Sequence, residues 1–152
     1  MTSNRILLDS SILVEKAKRT RQGLFDALLQ RDNLEKCICS TVLSEFAFHL
    51  LAIEGGKAPQ TLKQNATIPT LLSANSPEPL LNVFTFLPDS SQTISLYLSL
   101  MIRYNLLPND ALILSACLLH EVPMLASYDK PDFELACLKE GIKLIGDATD
   151  LT

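Results

Sequence analysis

Apolar and polar positions alternate along this chain in blocks that predict short buried strands, each followed by a helix. Continuous apolar runs predict strands at 5–8, 37–40, 81–86, 123–126 and 142–145. Apolar positions at helical spacing predict helices at 23–31, 41–53, 90–104, 109–120 and 133–140. This alternation is typical of a mainly parallel sheet of four to five strands with helices on both faces, a three-layer α/β/α fold.

Residues 57–79 interrupt the alternation. Prolines at 59, 69, 77 and 79 divide this segment into short helical pieces, around 61–64 and 70–74. We expect these pieces to form a hairpin packed outside the sheet. The 152 residues otherwise contain no linker or repeat, so the sequence predicts a single domain spanning 1–152.

Composition narrows the possible classes of protein. A hydrophobic content of 47% predicts a folded body, and a net charge of −4 argues against a protein that coats nucleic acid. The apolar runs are too short for a membrane span and the N-terminus lacks a secretory leader, so we expect a cytoplasmic protein. The cysteines lie in apolar segments without metal-ligand spacing and are expected to be buried free thiols; they are Cys37, Cys39, Cys117 and Cys137.

Asp110 is an acid in an otherwise apolar helix. Pro108 and Asn109 are expected to start and cap that helix, and the helix dipole favours an acid in the first turn. Taken alone, Asp110 is therefore explained equally well by capping and by chemistry.

Three further acids follow predicted strands. Asp9 comes directly after the first strand, Glu45 lies one turn into the helix after the second, and Asp129 follows the fourth. Each has a purely structural explanation as a turn residue or surface charge. In a parallel sheet, however, the segments after the strands meet at one edge, so these acids and Asp110 are expected to share a rim.

Four carboxylates on one rim repel each other unless a cation lies among them. Carboxylate oxygens without His or Cys suit Mg²⁺ or Mn²⁺. Such a site can hydrolyse a phosphodiester without a covalent nucleophile. A metal-dependent nuclease is the function that this pattern favours.

The motifs around these acids resemble the PIN domain family, and within it the VapC-type toxin nucleases. Similarity covers nearly the whole chain except 57–79. The resemblance rests on four motifs. The first is an opening strand with its acid at 7–14, and the second is Ser-Glu in an apolar helix at 44–45. The third is Asn-Asp-Ala at the start of a helix at 109–116, and the fourth is Ser-Tyr-Asp-Lys-Pro-Asp-Phe at 127–133.

The resemblance implies an endoribonuclease that uses Mg²⁺ or Mn²⁺, acting as the toxin of a toxin–antitoxin pair. It implies an antitoxin partner and a homodimer. The implied metal ligands are Asp9, Glu45, Asp110 and Asp129, with Asp132 as a candidate fifth acid. Ser10 and Ser127 would orient carboxylates or a bound water.

Other residues have candidate roles in binding RNA. A basic run shortly after the first acid could hold phosphates, or could simply be a solvated helix start; its members are Lys16, Lys18, Arg19 and Arg21. Tyr128 is placed to stack a base. His49 and His120 lie in or at the ends of apolar helices and are expected to be structural.

Two other functions fit parts of the pattern. A PIN-like module that binds RNA or protein without cutting would have the same fold, although the complete set of acids argues against it. A phosphatase that forms an aspartyl phosphate could use Asp9, but it would need a second aspartate at position 11, where this chain has Ser11.

Overall fold

The computed structural model describes residues 4–152, and the sheet found there has five strands, all parallel. This confirms the predicted three-layer α/β/α fold. The strands are β1 (Arg5–Leu8), β2 (Glu35–Cys39), β3 (Thr85–Leu87), β4 (Met124–Ala126) and β5 (Lys143–Ile145). Their order is β3-β2-β1-β4-β5, which makes β1 the central strand.

The helices connect successive strands and cover the sheet. Their bounds are α1 (Ser10–Ala17), α2 (Gly23–Leu29), α3 (Ser40–Gly55), α4 (Pro59–Gln64), α5 (Ile68–Ala74), α6 (Glu78–Leu81), α7 (Thr93–Tyr104), α8 (Pro108–Leu119) and α9 (Lys130–Glu140), followed by a 3₁₀ helix (Ala148–Leu151). Helix α1 packs on α3, and α7 packs on α8. No helix within 4–152 has both the length and the apolar character needed to cross a membrane.

Parallel pairing brings the carboxyl ends of the strands to one edge of the sheet. Leu8 of β1 pairs with Ala126 of β4, and Cys39 of β2 pairs with Leu87 of β3. Chain segments that leave these strands therefore begin close together, with the segment after β1 in the middle.

Strand β1 and helix α8 form the centre of the hydrophobic core, which accounts for their apolar sequences. Strand β1 is buried from Ile6 to Leu8, as expected for a strand covered on both faces. Helix α8 is equally buried, with Ala111, Ile113, Leu114 and Cys117 all inaccessible to solvent. All four cysteines are buried and free, as the sequence predicts.

The 57–79 segment forms short helices, as predicted, and α4 and α5 pack against α3. Gly55 allows this close approach, because a Cβ atom at that position would lie 2.6 Å from Cδ1 of Leu62. Gly56 caps the carboxyl end of α3, with a φ of 66° that suits glycine.

Several element bounds differ from the predictions. Helix α1 was not predicted, because Ser10 and Ser11 resemble turn residues in the sequence, whereas they are the first residues of this helix. The predicted strand at 81–86 was wrong at its start: prolines at 77 and 79 favour the helical turn α6, and the strand begins only at Thr85. Helix α9 starts at Lys130 rather than near 133, with a proline in its first turn.

The predicted cap of α8 was also wrong. Leu107 is the N-cap residue and Pro108 is the first residue of the helix. Asn109 lies inside the first turn, so its side chain is available for another partner.

Candidate metal-binding site

The structure places all four predicted acids at the carboxyl edge of the sheet. Asp9 follows β1 and is the N-cap residue of α1. Glu45 lies in α3, which follows β2 directly, and Asp110 lies in the first turn of α8. Asp129 is the N-cap residue of α9, beyond β4.

Asp9 is the most firmly held of these acids. Only 2% of the residue is exposed. Its Oδ1 accepts a hydrogen bond from the Ser10 backbone N–H (2.9 Å), and its Oδ2 accepts from the hydroxyls of Ser11 (2.8 Å) and Ser127 (2.7 Å). These donors fix the orientation of the carboxylate while leaving its charge uncompensated.

Glu45 is held from two sides by neutral donors. The Ser10 hydroxyl donates to Oε1 (3.0 Å) and the Asn109 side-chain amide donates to Oε2 (3.1 Å). The three residues belong to α1, α3 and α8, so this carboxylate links three helices at the rim.

The electrostatics of Asp110 and Asp129 show that negative charge is crowded here. Burial, then the charge of Asp9, then those of other rim acids including Asp132, raise the pKa of Asp110 from 3.8 to about 7. Partial desolvation, and then the charge of the neighbouring Asp9, raise the pKa of Asp129 from 3.8 to about 6. A cation would relieve this repulsion.

The donor chemistry fits a hard divalent ion such as Mg²⁺ or Mn²⁺, since the rim offers carboxylate oxygens. Within residues 4–152, no three side chains of His, Cys, Asp or Glu stand in an arrangement that already encloses an ion. The fit therefore rests on the donor type and on the raised pKa values. A cavity of about 250 Å³ is lined by Asp110, by Asp132 and by the segment that joins α7 to α8.

The predicted hydroxyls have defined partners: Ser10 contacts Glu45, and Ser127 contacts Asp9 and also accepts from the Asp129 backbone N–H (2.9 Å). Two further residues hold the acids and were not predicted: Ser11 donates to Asp9, and Asn109 donates to Glu45. Both lie within two positions of a predicted acid, which is a signal that the sequence contains. Ser11 was instead interpreted as a turn residue and Asn109 as a helix cap.

The four members of the basic run have different surroundings. Lys16 pairs with Asp26 (3.1 Å) and lies over the Phe25 ring, whereas Lys18 and Arg19 are exposed. The Arg21 guanidinium lies 3.7 Å from the centroid of the Tyr128 ring. Arg21 is thus the member of the run that contacts a residue adjoining the acids.

The aromatic and histidine predictions have mixed outcomes. Arg21 covers one face of Tyr128, so that face is not open to a base. The ring of His120 bonds to the Pro88 carbonyl (2.8 Å), in agreement with a structural role. His49 is exposed and contacts Phe48 edge-to-face.

The sequence is similar to a known protein family and to two ribonucleases. The PIN domain family model matches residues 6–136. Ribonuclease VapC2 of Methanocaldococcus jannaschii is 28% identical over 148 residues, which cover 95% of this chain and 97% of that protein. Ribonuclease VapC6 of the same organism is 27% identical over 158 residues, covering 94% and 99%.

Solved structures share the fold at lower identity. FitAcB from Neisseria gonorrhoeae superposes with a TM-score of 0.61 at 14% identity, covering 93% of this chain and 96% of the other. VapBC2 from Rickettsia felis, bound to a DNA fragment from their promoter, gives 0.59 at 17% identity, covering 92% and 96%. The likeness therefore extends over nearly the whole domain.

Proposed function

Because the chain belongs to the PIN domain family, we propose that it is an endoribonuclease dependent on Mg²⁺ or Mn²⁺ and the toxin of a toxin–antitoxin pair. The observation that carries the proposal is the rim of four acids, where burial and the charges of neighbouring acids raise the pKa of Asp110 to about 7. The two relatives named as ribonucleases support RNA as the substrate.

Asp9, Glu45, Asp110 and Asp129 would hold the metal, with Asp132 as a candidate fifth acid. When bound, the ion supplies Lewis acidity toward the scissile phosphate and the attacking water. The hydroxyls of Ser10, Ser11 and Ser127 and the amide of Asn109 keep the Asp9 and Glu45 carboxylates oriented. The bound ion would also neutralise negative charge at the rim, which without metal repels the phosphates of RNA.

Partners are proposed on two grounds. Solved relatives of the same fold include a toxin–antitoxin complex from Klebsiella pneumoniae, which supports an antitoxin for this chain. Helix α7 exposes Ile94, Leu98 and Ile102 four residues apart, and α9 exposes Leu135 and Leu138. Apolar surface of this kind supports a homodimer.

The test of this function is cleavage of a mixed pool of single-stranded and structured RNA by the purified protein. We expect cleavage with Mn²⁺ or Mg²⁺ and none with EDTA, because the uncompensated acids neither activate water nor admit a phosphate. The products should carry no 2′,3′-cyclic phosphate, since water rather than the 2′-hydroxyl attacks. That criterion separates the activity from contaminating metal-independent ribonucleases.

Cleavage that persists in EDTA would exclude the metal-dependent mechanism. Metal binding without cleavage of any RNA would favour the binding module that no longer cuts.

A further inference from the structure

A second polar cavity, of about 260 Å³, is lined by segments that follow β4 and β5. Its lining includes Arg21 from the loop between α1 and α2, Tyr128 from the segment after β4, and Gly146 and Asp147 from the segment after β5. Tyr128 directly precedes Asp129 in the chain. The cavity therefore lies at the carboxyl edge of the sheet, as the proposed metal site does.

Arg21 is held in a conformation that non-glycine residues seldom adopt. Its φ is 42°, in the left-handed region, where the Cβ atom crowds the backbone. Two contacts with Tyr128 hold it there: the tyrosine hydroxyl donates to the Arg21 carbonyl (2.7 Å), and the guanidinium stacks on the ring. The result is a flat cationic surface fixed at the wall of the cavity.

The cavity is tied to the rim by hydrogen bonds. The Tyr128 backbone N–H donates to the Ser11 hydroxyl (3.1 Å), and that hydroxyl donates to Oδ2 of Asp9. A ligand bound against Arg21 and Tyr128 would thus have a defined position relative to Asp9.

Asp147 gives the cavity an acceptor. Its Oδ1 accepts from the backbone N–H (2.9 Å) and hydroxyl (3.1 Å) of Thr149, and these bonds lower its pKa, so the carboxylate is ionised at neutral pH. An ionised carboxylate can pair only with donors. Guanine is the base that presents two adjacent donors, N1–H and N2–H₂, on its Watson–Crick edge, and guanidinium planes are common stacking surfaces for bases.

We propose that this cavity is a nucleobase subsite that positions a guanosine of the RNA next to the scissile phosphate. Arg21 with Tyr128 provides the stacking surface and offsets the charge of Asp147, which reads the donors of the base. The inference rests on the proposed ribonuclease function and assigns a base preference to the same site.

The test measures binding of single nucleotides to the metal-free protein, so that it does not depend on cleavage. GMP, AMP, CMP and UMP are titrated in EDTA while backbone amides are followed by NMR. We expect GMP to shift the amides of Tyr128 and Gly146 and to bind at least about tenfold more tightly than the other three, the discrimination typical of one paired base edge.

Two variants sharpen the test. Asp147→Asn retains an oxygen that can accept from Thr149 but loses the charge, and should weaken GMP binding about tenfold. Arg21→Gln should weaken binding of all four nucleotides several-fold, because the cationic stacking surface is lost. The matched control is Asp32→Asn, an exposed acid at the amino end of β2, which should bind GMP as the unchanged protein does.

Equal affinity for all four nucleotides, shifts that bypass Tyr128 and Gly146, or GMP binding unaffected by Asp147→Asn or by Arg21→Gln would each overturn the subsite. The two proposals can fail separately. If only the nuclease proposal is wrong, GMP will bind selectively but no RNA will be cut. Metal-dependent cleavage without selective GMP binding would count against the subsite alone.

Discussion

Replacement of Asp9 by asparagine is expected to lower metal-dependent RNA cleavage by more than about a hundredfold. Loss of residues that merely orient a metal ligand typically costs 10–100-fold, and Asp9 is proposed as a ligand itself. Its carboxylate lies at the end of the central strand and is oriented by three hydrogen bonds. Asparagine keeps the shape but removes the negative charge that an ion requires.

The Asp9→Asn variant should remain folded, so the loss will report on chemistry. The asparagine oxygen can still accept from the Ser10 backbone N–H. The hydroxyls of Ser11 and Ser127 can rotate and accept from the new amide, because each hydroxyl both donates and accepts. The initial rate of cleavage in Mn²⁺ is the quantity to compare, with circular dichroism as the check on folding.

Asp32→Asn is the matched control for this experiment as well. It removes the same charge at the opposite edge of the sheet and should leave the cleavage rate unchanged. A folded Asp9→Asn variant that cuts RNA at the control rate would contradict the assignment of Asp9.

Replacement of Asp110 by asparagine is expected to have two opposite effects: cleavage falls by a similar factor, but the metal-free protein becomes more stable. Burial and neighbouring charges raise the pKa of Asp110 from 3.8 to about 7. Ionised Asp110 therefore destabilises the folded state, and asparagine removes that penalty. With allowance for solvent screening, we expect about 1–2 kcal/mol, or about 3–6 °C in Tm.

The sign of the pH dependence follows from the direction of this shift. Between pH 3.8 and about 7 the folded state binds more protons at Asp110 than the unfolded state does, so its contribution to stability falls as pH rises. The gap in Tm between Asp110→Asn and the unchanged protein should be largest near about pH 8 and smaller near about pH 5. Thermal denaturation in EDTA at both pH values measures it.

Metal should reverse the order of stability. Mn²⁺ should raise the Tm of the unchanged protein through binding to the folded state, and should raise that of Asp110→Asn much less. If Asp110→Asn is the less stable protein at the higher pH in EDTA, burial and the neighbouring acids do not destabilise the ionised Asp110 carboxylate as described.

The sequence was sufficient to predict the rim because the acids occupy positions fixed by the fold. Asp9 directly follows a largely apolar strand, and Asp110 lies in the first turn of a largely apolar helix. Parallel pairing then brings the carboxyl ends of the strands together. The same logic predicted where Glu45 and Asp129 lie. These elements are easy to recognise in the sequence, because a strand covered on both faces of the sheet is a continuous run of apolar residues.

The parts that the sequence did not predict depend on side-chain direction and on local turns. Asn109 matched a helix cap, yet Pro108 already starts the helix and the amide turns to Glu45. The run from Lys16 to Arg21 predicted a basic patch, whereas the left-handed Arg21 directs its guanidinium onto Tyr128. No periodicity encodes such contacts between distant segments.

The most direct measurement of the central claim is the position of Mn²⁺ in crystals of this protein, located by anomalous scattering. The proposed site predicts a peak at the carboxyl edge of the sheet, within coordination distance of Asp9 and Asp110 carboxylate oxygens. It also predicts that the peak is lost in Asp110→Asn crystals. A Mn²⁺ peak elsewhere, or an empty rim in crystals soaked at saturating Mn²⁺, would contradict a metal centre built from these acids.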